Sequence, residues 1–453
     1  MNLFRPLLLT LFMGVANLSS AQTGVELTPD QMRQLATSML VAEEHERAAA
    51  LADALLGRDP KDIAALVIRA RSALALEDFS TAIEMAGRAY RVAETDAERY
   101  TTARIAAVAN AAARRDTFAQ VWLRRAGQFA PTQEARDAVA EDYRFLRQRN
   151  PLAISLSFGI SPSSNVNGGS ASEILILPGL PYEFVLDGEA RALSGVQFSG
   201  GVTLTYRLRS TDRTSLLVDA SIQGRTYALS AEAQELAPEA RGSDYSDISF
   251  VTSVTRRWLP EGATGPWTLN GAFGQTWYDN SPYLRFVRLS VAKGIRPDAR
   301  NRFDLSSFVE GQDRLDDDEQ FVTLGAGVRW THLGPSGNQS MVQLSMRDSL
   351  TDLEDVGFQG LTLSGDYDLR RPLAGLRVGF GADAEIRVFD ESAYSVDGRQ
   401  DITGTLRMTI GLPGIQYYGF EPTVTLETSR TSSDVDLFDK EDFRVNFGVR
   451  SSF

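Results

Sequence analysis

From Leu152 to Phe453, apolar and polar positions alternate one by one, in runs broken by turn-forming residues. The last run is the clearest. Phe443, Val445, Phe447 and Val449 alternate with Arg444, Asn446, Gly448 and Arg450, and the sequence stops at Phe453. Period two sends successive side chains to opposite faces, so each run predicts a strand with one apolar and one polar face. Fourteen such strands are predicted, opening with 152–161, 194–209 and 214–225 and closing with 400–411, 417–428 and 442–453. A tilted strand needs about 9–11 residues to cross a bilayer core, which suits these lengths. No second apolar layer is available to cover so many strands. In a closed barrel, lipid covers the outside and neighbouring strands satisfy each other's backbone groups. Over 28–149, apolar positions recur instead at i, i+3, i+4 and i+7, which predicts helices. The expected fold class is therefore α + β and multidomain: N-terminal helical repeats over 28–149, then an antiparallel transmembrane β-barrel of about 14 strands over 152–453.

Within the helical part, Pro60 and Pro131 each follow a helix and lie about two periods of a 34-residue hairpin repeat apart. Alignment on them places small residues, Ala48, Ala82 and Ala119, where paired helices approach most closely. The first interval is 34 residues and the second 37, so one loop is expected to be longer. The pattern resembles three tetratricopeptide repeats with a capping helix over Gln133–Arg149; a plain helical bundle is the alternative. Stacked hairpins leave a concave face, and repeats of this kind usually bind peptide segments.

The connections supply a second pattern. In membrane barrels, short turns face the periplasm and long loops face outward. Alternation puts 162–193, 226–243, 391–399 and 429–441 outside and 210–213, 296–299 and 370–374 inside, with the short 280–282 as an exception. An even strand count returns the C-terminus to the side of the helical part, which is assigned to the periplasm. Residues 1–21 read as a secretory signal, with Arg5, an apolar core from Leu7 to Val15 and small residues before a cleavage point between Ala21 and Gln22. No later run is long and apolar enough for a spanning helix. Trp258, Trp267, Trp277, Tyr278, Tyr283, Tyr417 and Tyr418 lie near strand ends, where an interfacial girdle is expected.

Composition narrows the chemistry. The chain has no cysteine, which removes disulfides and thiolate metal sites. Its formal charge of -13 falls entirely on the barrel part, which argues against nucleic acid and suggests an acidic lumen suited to cationic sugars. The acidic run Asp313, Asp316, Asp317, Asp318 and Glu319 lacks the spacing and glycine of a calcium loop and reads as a solvated outer loop. The same holds for Asp434, Asp436, Asp439, Glu441 and Asp442. His332 is the only histidine of the barrel and sits near an inner turn, without a nucleophile motif, so it reads as a turn or girdle residue. No metal, no cofactor and no catalytic set are expected.

At the junction the chain reads Asn150-Pro151-Leu152, then, after the first strand, a Pro-x-x-Asn-x-Asn motif formed by Pro162, Asn165 and Asn167. Signal, helical repeats, this motif and a fourteen-stranded barrel together resemble the surface lipoprotein assembly modifier family. The resemblance implies an outer-membrane export factor of Gram-negative bacteria. Its repeats would receive client proteins, surface lipoproteins or secreted haem- and iron-capturing proteins, and its barrel would help carry them to the cell surface. The ending Asn446-x-Gly448-x-x-Ser451-x-Phe453 resembles the signal that barrels present to the barrel-assembly machinery, with Ser451 in a slot that is usually hydrophobic. Expected partners are an exported client, that machinery and outer-membrane lipids. Polysaccharide export and a general porin are the alternatives.

Overall fold

The computed structural model describes residues 26–176, 182–351 and 353–451. The signal with its Ala21–Gln22 cleavage point, and Phe453, lie outside the described residues. The chain forms two compact units that divide between Ala93 and Glu94.

The first unit holds four helices: α1 (Pro29–Val41), α2 (His45–Arg58), α3 (Ile63–Ala75) and α4 (Phe79–Val92). Three of the four, all but α2, begin at a side-chain cap. Thr28 and Gln31 form a reciprocal capping box on α1, and the carboxylates of Asp62 and Asp78 accept the free amides of Ala65 and Thr81 at α3 and α4. Each hairpin turns at one left-handed residue, Glu43 and Glu77. The same two bonds close both turns: Glu44 N donates to Met39 O and Asp78 N to Ala73 O, each at 2.9 Å, and Glu43 N to Leu40 O and Glu77 N to Leu74 O, each at 3.2 Å. Ala36, Ala48, Ala52, Ala70, Ala73 and Ala82 are fully buried, so the helix backbones approach closely.

The second unit opens with α5 (Asp96–Ala112), α6 (Asp116–Gln128) and α7 (Gln133–Arg149). Its hairpin repeats the same turn, with Arg114 left-handed and Arg115 N donating to Asn110 O at 2.8 Å. Ala119 follows that turn as Ala48 and Ala82 follow theirs, and it too is fully buried. The 37-residue interval has a different origin from the expected longer loop. Helix α5 has 17 residues where α3 has 13, and the linker before it, 93–95, is shorter than 59–62.

Beyond α7 the chain forms β1 (Leu152–Ser163), a small hairpin of β2 (Ile174–Ile176) and β3 (Glu183–Val185), β4 (Gly195–Ser210), β5 (Thr214–Leu229), a one-turn helix α8 (Ala231–Leu236), β6 (Asp247–Trp258), β7 (Trp267–Tyr278), β8 (Ser281–Ile295), β9 (Asn301–Arg314), β10 (Glu319–Leu333), β11 (Gln339–Leu350), β12 (Gln359–Asp368), β13 (Arg377–Phe389), β14 (Arg399–Gly411), β15 (Phe420–Ser433) and β16 (Lys440–Ser451). All strands except β2 and β3 join one closed antiparallel barrel of fourteen strands, in which each pairs with its sequence neighbours and β16 meets β1. The outward face is apolar and uncovered, as at Ile154, Leu156 and Phe158, Val287, Leu289 and Val291, and Phe443, Phe447 and Val449. A sheet whose apolar side faces outward all round is built for lipid.

The end of β1 next to the helices defines a near rim, and the other end a far rim. Far connections include the two longest, 164–194 and 230–246, and also the shortest, Asp279-Asn280, where both residues have positive φ as a two-residue hairpin requires. Trp258 stacks on Trp267 across β6 and β7 at the near rim, with centroids 6.5 Å apart. Tyr278 and Tyr283, expected in a girdle, line the far mouth instead.

Candidate functional site

The barrel lumen and its two mouths hold the polar side chains that strand alternation turns inward. The near mouth is joined to the helices. Arg124 of α6 donates to the carbonyls of Tyr418 and Gly419 at 3.2 and 3.1 Å, and to Ser451 Oγ, at the end of β16, at 2.9 Å. Its guanidinium lies over the rings of Tyr143 and Phe420, at 4.8 and 4.5 Å. Gln128 Oε1 accepts Tyr418 N at 2.7 Å, and Phe129 meets the Tyr418 ring edge to face. On the other side, α7 ends in Arg149, which pairs with buried Asp116, and Asn150 O accepts Arg207 Nη2 of β4 at 3.0 Å. These contacts tie α6 and α7 to β1, β4, β15 and β16.

The lumen is not acidic, contrary to expectation. Its carboxylates sit among arginines: Arg288 with Glu310 at 2.6 Å, Arg377 with Glu421 at 2.6 Å, Arg407 with Asp383 and Asp366, Arg347 and Arg387 with Glu385, and Arg444 with Asp442 and Glu427. Glu421 is completely buried and Glu310 nearly so, which such pairing makes tolerable. The acidic excess sits in the far connections. Segment 164–194 carries Glu173, Glu183, Asp187 and Glu189, and 230–246 carries Glu232, Glu235, Glu239 and Asp244. Among the described residues of all seven far connections, Arg191 and Arg241 are the only basic side chains. Strand alternation does not reveal this partition, because inward arginines and loop carboxylates look alike in a charge count.

The far mouth carries an ordered cap. Val166, Leu193, Ala233, Ala237 and Ala240 bury one another, so 164–194 and 230–246 pack as one body. The motif asparagines hold it. Asn165 Nδ2 donates to Gly169 O at 2.9 Å and its Oδ1 accepts Gly169 N at 3.0 Å. Asn167 Nδ2 donates to Glu189 O and Arg191 O, at 2.9 and 2.8 Å, and its Oδ1 accepts Leu193 N at 2.9 Å. A Cβ on Gly169 would stand 2.2 Å from Arg191 O, so only glycine fits there. Pro162 lies apart from this knot, in β1, where it pairs with Val196 of β4.

Under the cap, Asn165, Asn167, Gln197, Arg225, Asp247 and the rings of Tyr227, Tyr245, Tyr278 and Tyr283 line a cavity of about 500 Å³. Burial and the nearby Glu189 charge push the Tyr245 phenol up to about 12, and its hydroxyl has no protein partner. Arg399, also near this rim, is held between the rings of Phe389 and Phe438, at 3.8 and 3.5 Å, and pairs with Asp355 and Asp401. It pins three far connections together, and nothing in its sequence context singles it out.

Other singled-out residues are dispersed. Asn446 and Gly448 face inward on β16, with Gly448 opposite Gly159 of β1. His332 lies at the near end of β10, with Nδ1 2.9 Å from Asn301 Oδ1 and its ring against Trp330. In the acidic run, Arg314 pairs with Asp316 and Asp317. Among the described residues no cluster of histidines and carboxylates is arranged to hold a metal, and no helix is long and apolar enough to cross a membrane.

No protein-family model and no curated relative matches the sequence. Solved structures are similar in part. A BenF-like porin from Pseudomonas fluorescens Pf-5 matches over 66% of this chain and 98% of its own, at 8% identity and a TM-score of 0.35. A bacterial polysaccharide outer membrane secretin matches over 66% and 98%, at 9% identity and a TM-score of 0.33. The type III secretion translocator chaperone SycD of Yersinia enterocolitica matches over 27% of this chain and 88% of its own, at 17% identity and a TM-score of 0.25. The chain itself is an outer-membrane-type barrel preceded by a helical domain.

Proposed function

We propose that this protein is a non-catalytic outer-membrane export factor of the surface lipoprotein assembly modifier type. Its helices receive a client protein in the periplasm and its barrel helps move that client to the cell surface. No cofactor or metal takes part. The observation that carries this reading is the junction at the near rim. A pure pore needs no helical repeats at its mouth, whereas here α7 runs into β1 and Arg124 of α6 grips the end of β16. The barrel-assembly machinery would insert the barrel, with Asn446, Gly448 and Phe453 as the terminal signal.

The test compares proteins released by brief protease shaving of intact cells, wild type against deletion. Loss of one or two surface proteins, with their accumulation in the periplasm, is expected. An unchanged set of surface proteins would end this reading.

One observation favours a second reading, polysaccharide export or a porin. The four tyrosine rings under the cap, with Arg225, Asp247 and Gln197, offer stacking faces and planar polar groups of the kind sugars bind. Steady conductance of the purified barrel in planar bilayers, without any client, would favour it over protein export.

A further inference from the structure

We propose that the seam between β1 and β16 is a lateral gate, where the lumen opens toward the bilayer, and that Pro162 keeps this seam weak. The use made of the gate rests on the export reading above; its existence does not. Every ladder between strands consecutive around the barrel holds ten or more residue pairs, except this one. The β1–β16 ladder has three: Gly159 with Gly448, Ile160 with Phe447 and Ser163 with Arg444.

The weakness has a chemical cause. Backbone groups of β1 point alternately to its two neighbours. Odd positions face β4, as where Pro151 O accepts Arg207 N at 2.8 Å, and even positions face β16, as where Ser164 N donates to Phe443 O at 3.1 Å. Pro162 is therefore turned toward Val445 of β16 at a position that needs a donor, and proline has none. Proline inside strands belongs at edges. Pro282, Pro422 and Pro162 all lie within three residues of a strand end, Pro162 next to last in β1, but Pro162 has seam pairs on either side. Nearer the helices, the register would set Phe158 opposite Val449 and Ser157 opposite Arg450, and neither pair forms. Gly159 and Gly448 face each other without side chains to bind the strands. Both strands are also held by helices: α7 leads into β1, and Arg124 of α6 holds Ser451 of β16. A shift of α6 against α7 on client binding would pull on the two sides of the seam.

The absence of cysteine makes the test clean. First, the full chain in lipid nanodiscs is followed by hydrogen exchange without any client. The amides turned to the seam, those of Leu156, Phe158, Val445 and Val449, are expected to exchange faster than those of β10 and β11. Pro162→Ala restores a donor and should slow seam exchange about fivefold, the factor for one net hydrogen bond. Uniformly slow exchange, or no change in Pro162→Ala, would refute a weak seam held so by Pro162. Second, a disulfide between S157C and R450C should abolish client display until reductant is added. One between T331C and M341C, facing each other across the full β10–β11 ladder, should not. Normal display by the locked seam would show that the gate is not used, while leaving the export reading intact. If the wild type displays no client, that reading fails, and the exchange data still decide the seam.

Discussion

Asp62 does two things for the first unit. It caps α3 through Ala65 N at 3.1 Å, and it pairs with Arg33 of α1, whose Nη2 lies 2.8 Å away. Burial alone would raise its pKa, but the hydrogen bond from Arg33 and the helix-start amides outweigh it and hold the carboxyl below its ordinary value of 3.8. The folded pKa is thus below the unfolded one. The ionised form contributes stability that is full above pH 3.8 and is lost as pH falls through the folded value. Asp62→Ala should destabilise the first unit by about 1–2 kcal/mol at neutral pH and flatten its acid transition, read by circular dichroism during acid titration. In the barrel, Arg377→Ala leaves the fully buried Glu421 without its partner. Because Arg377 itself is half exposed, the loss is that of one buried acceptor left unpaired, about 1–3 kcal/mol, so heat-modifiability on gels should show unfolding at lower temperature. Residues of these two kinds differ in how they show in a sequence. Ala48, Ala82 and Ala119 stand out because a short side chain recurs at a repeat interval. Arg124, Arg377 and Arg399 do not, because a partner hundreds or tens of residues away leaves no local mark.

The hairpins of α1–α2, α3–α4 and α5–α6 turn on the same left-handed residue and the same backbone bonds, and each buries an alanine just beyond the turn. Ala48→Leu or Ala82→Leu would force side-chain bulk between helix backbones already in contact. Each should cost about 1–3 kcal/mol, measured as a lower urea midpoint of the helical signal, with the barrel unaffected. At this scale the strands were legible, since period-two alternation repeated fourteen times admits few other folds. The repeat period is legible too, but its uneven spacing does not tell a longer loop from a longer helix, because helix extension by about one turn leaves the apolar pattern intact. The cap at the far mouth was not legible. Its short helix α8 and hairpin β2–β3 are too brief to set a period, and its core is mostly alanine. The asparagine pair was visible only as a motif, without its role of closing 164–194 on itself. Asn167→Ala removes the acceptor of Leu193 N and the donor to Arg191 O, so that segment should be nicked faster by protease.

For the whole molecule, the two rims differ in kind. The near one meets helices and carries turns that include Arg213, Arg296, Arg300, Arg370 and Arg371, while the far one carries the two longest connections, both acidic. Long loops at an outer surface and short turns in the periplasm are the rule for such barrels, and helices meant to receive an exported client must sit where the client arrives. The proposed function therefore expects the near rim in the periplasm. Because the chain has no cysteine, single substitutions report orientation directly. Val396, in the far connection 390–398, and Leu373, in the near turn 369–376, are both exposed, so neither substitution disturbs a core. A membrane-impermeant maleimide added to intact cells should label V396C at once, and L373C only after the outer membrane is permeabilised. The opposite pattern would put the helices outside the cell, where they could not receive a periplasmic client, and the far acidic cap would then guard an inner mouth.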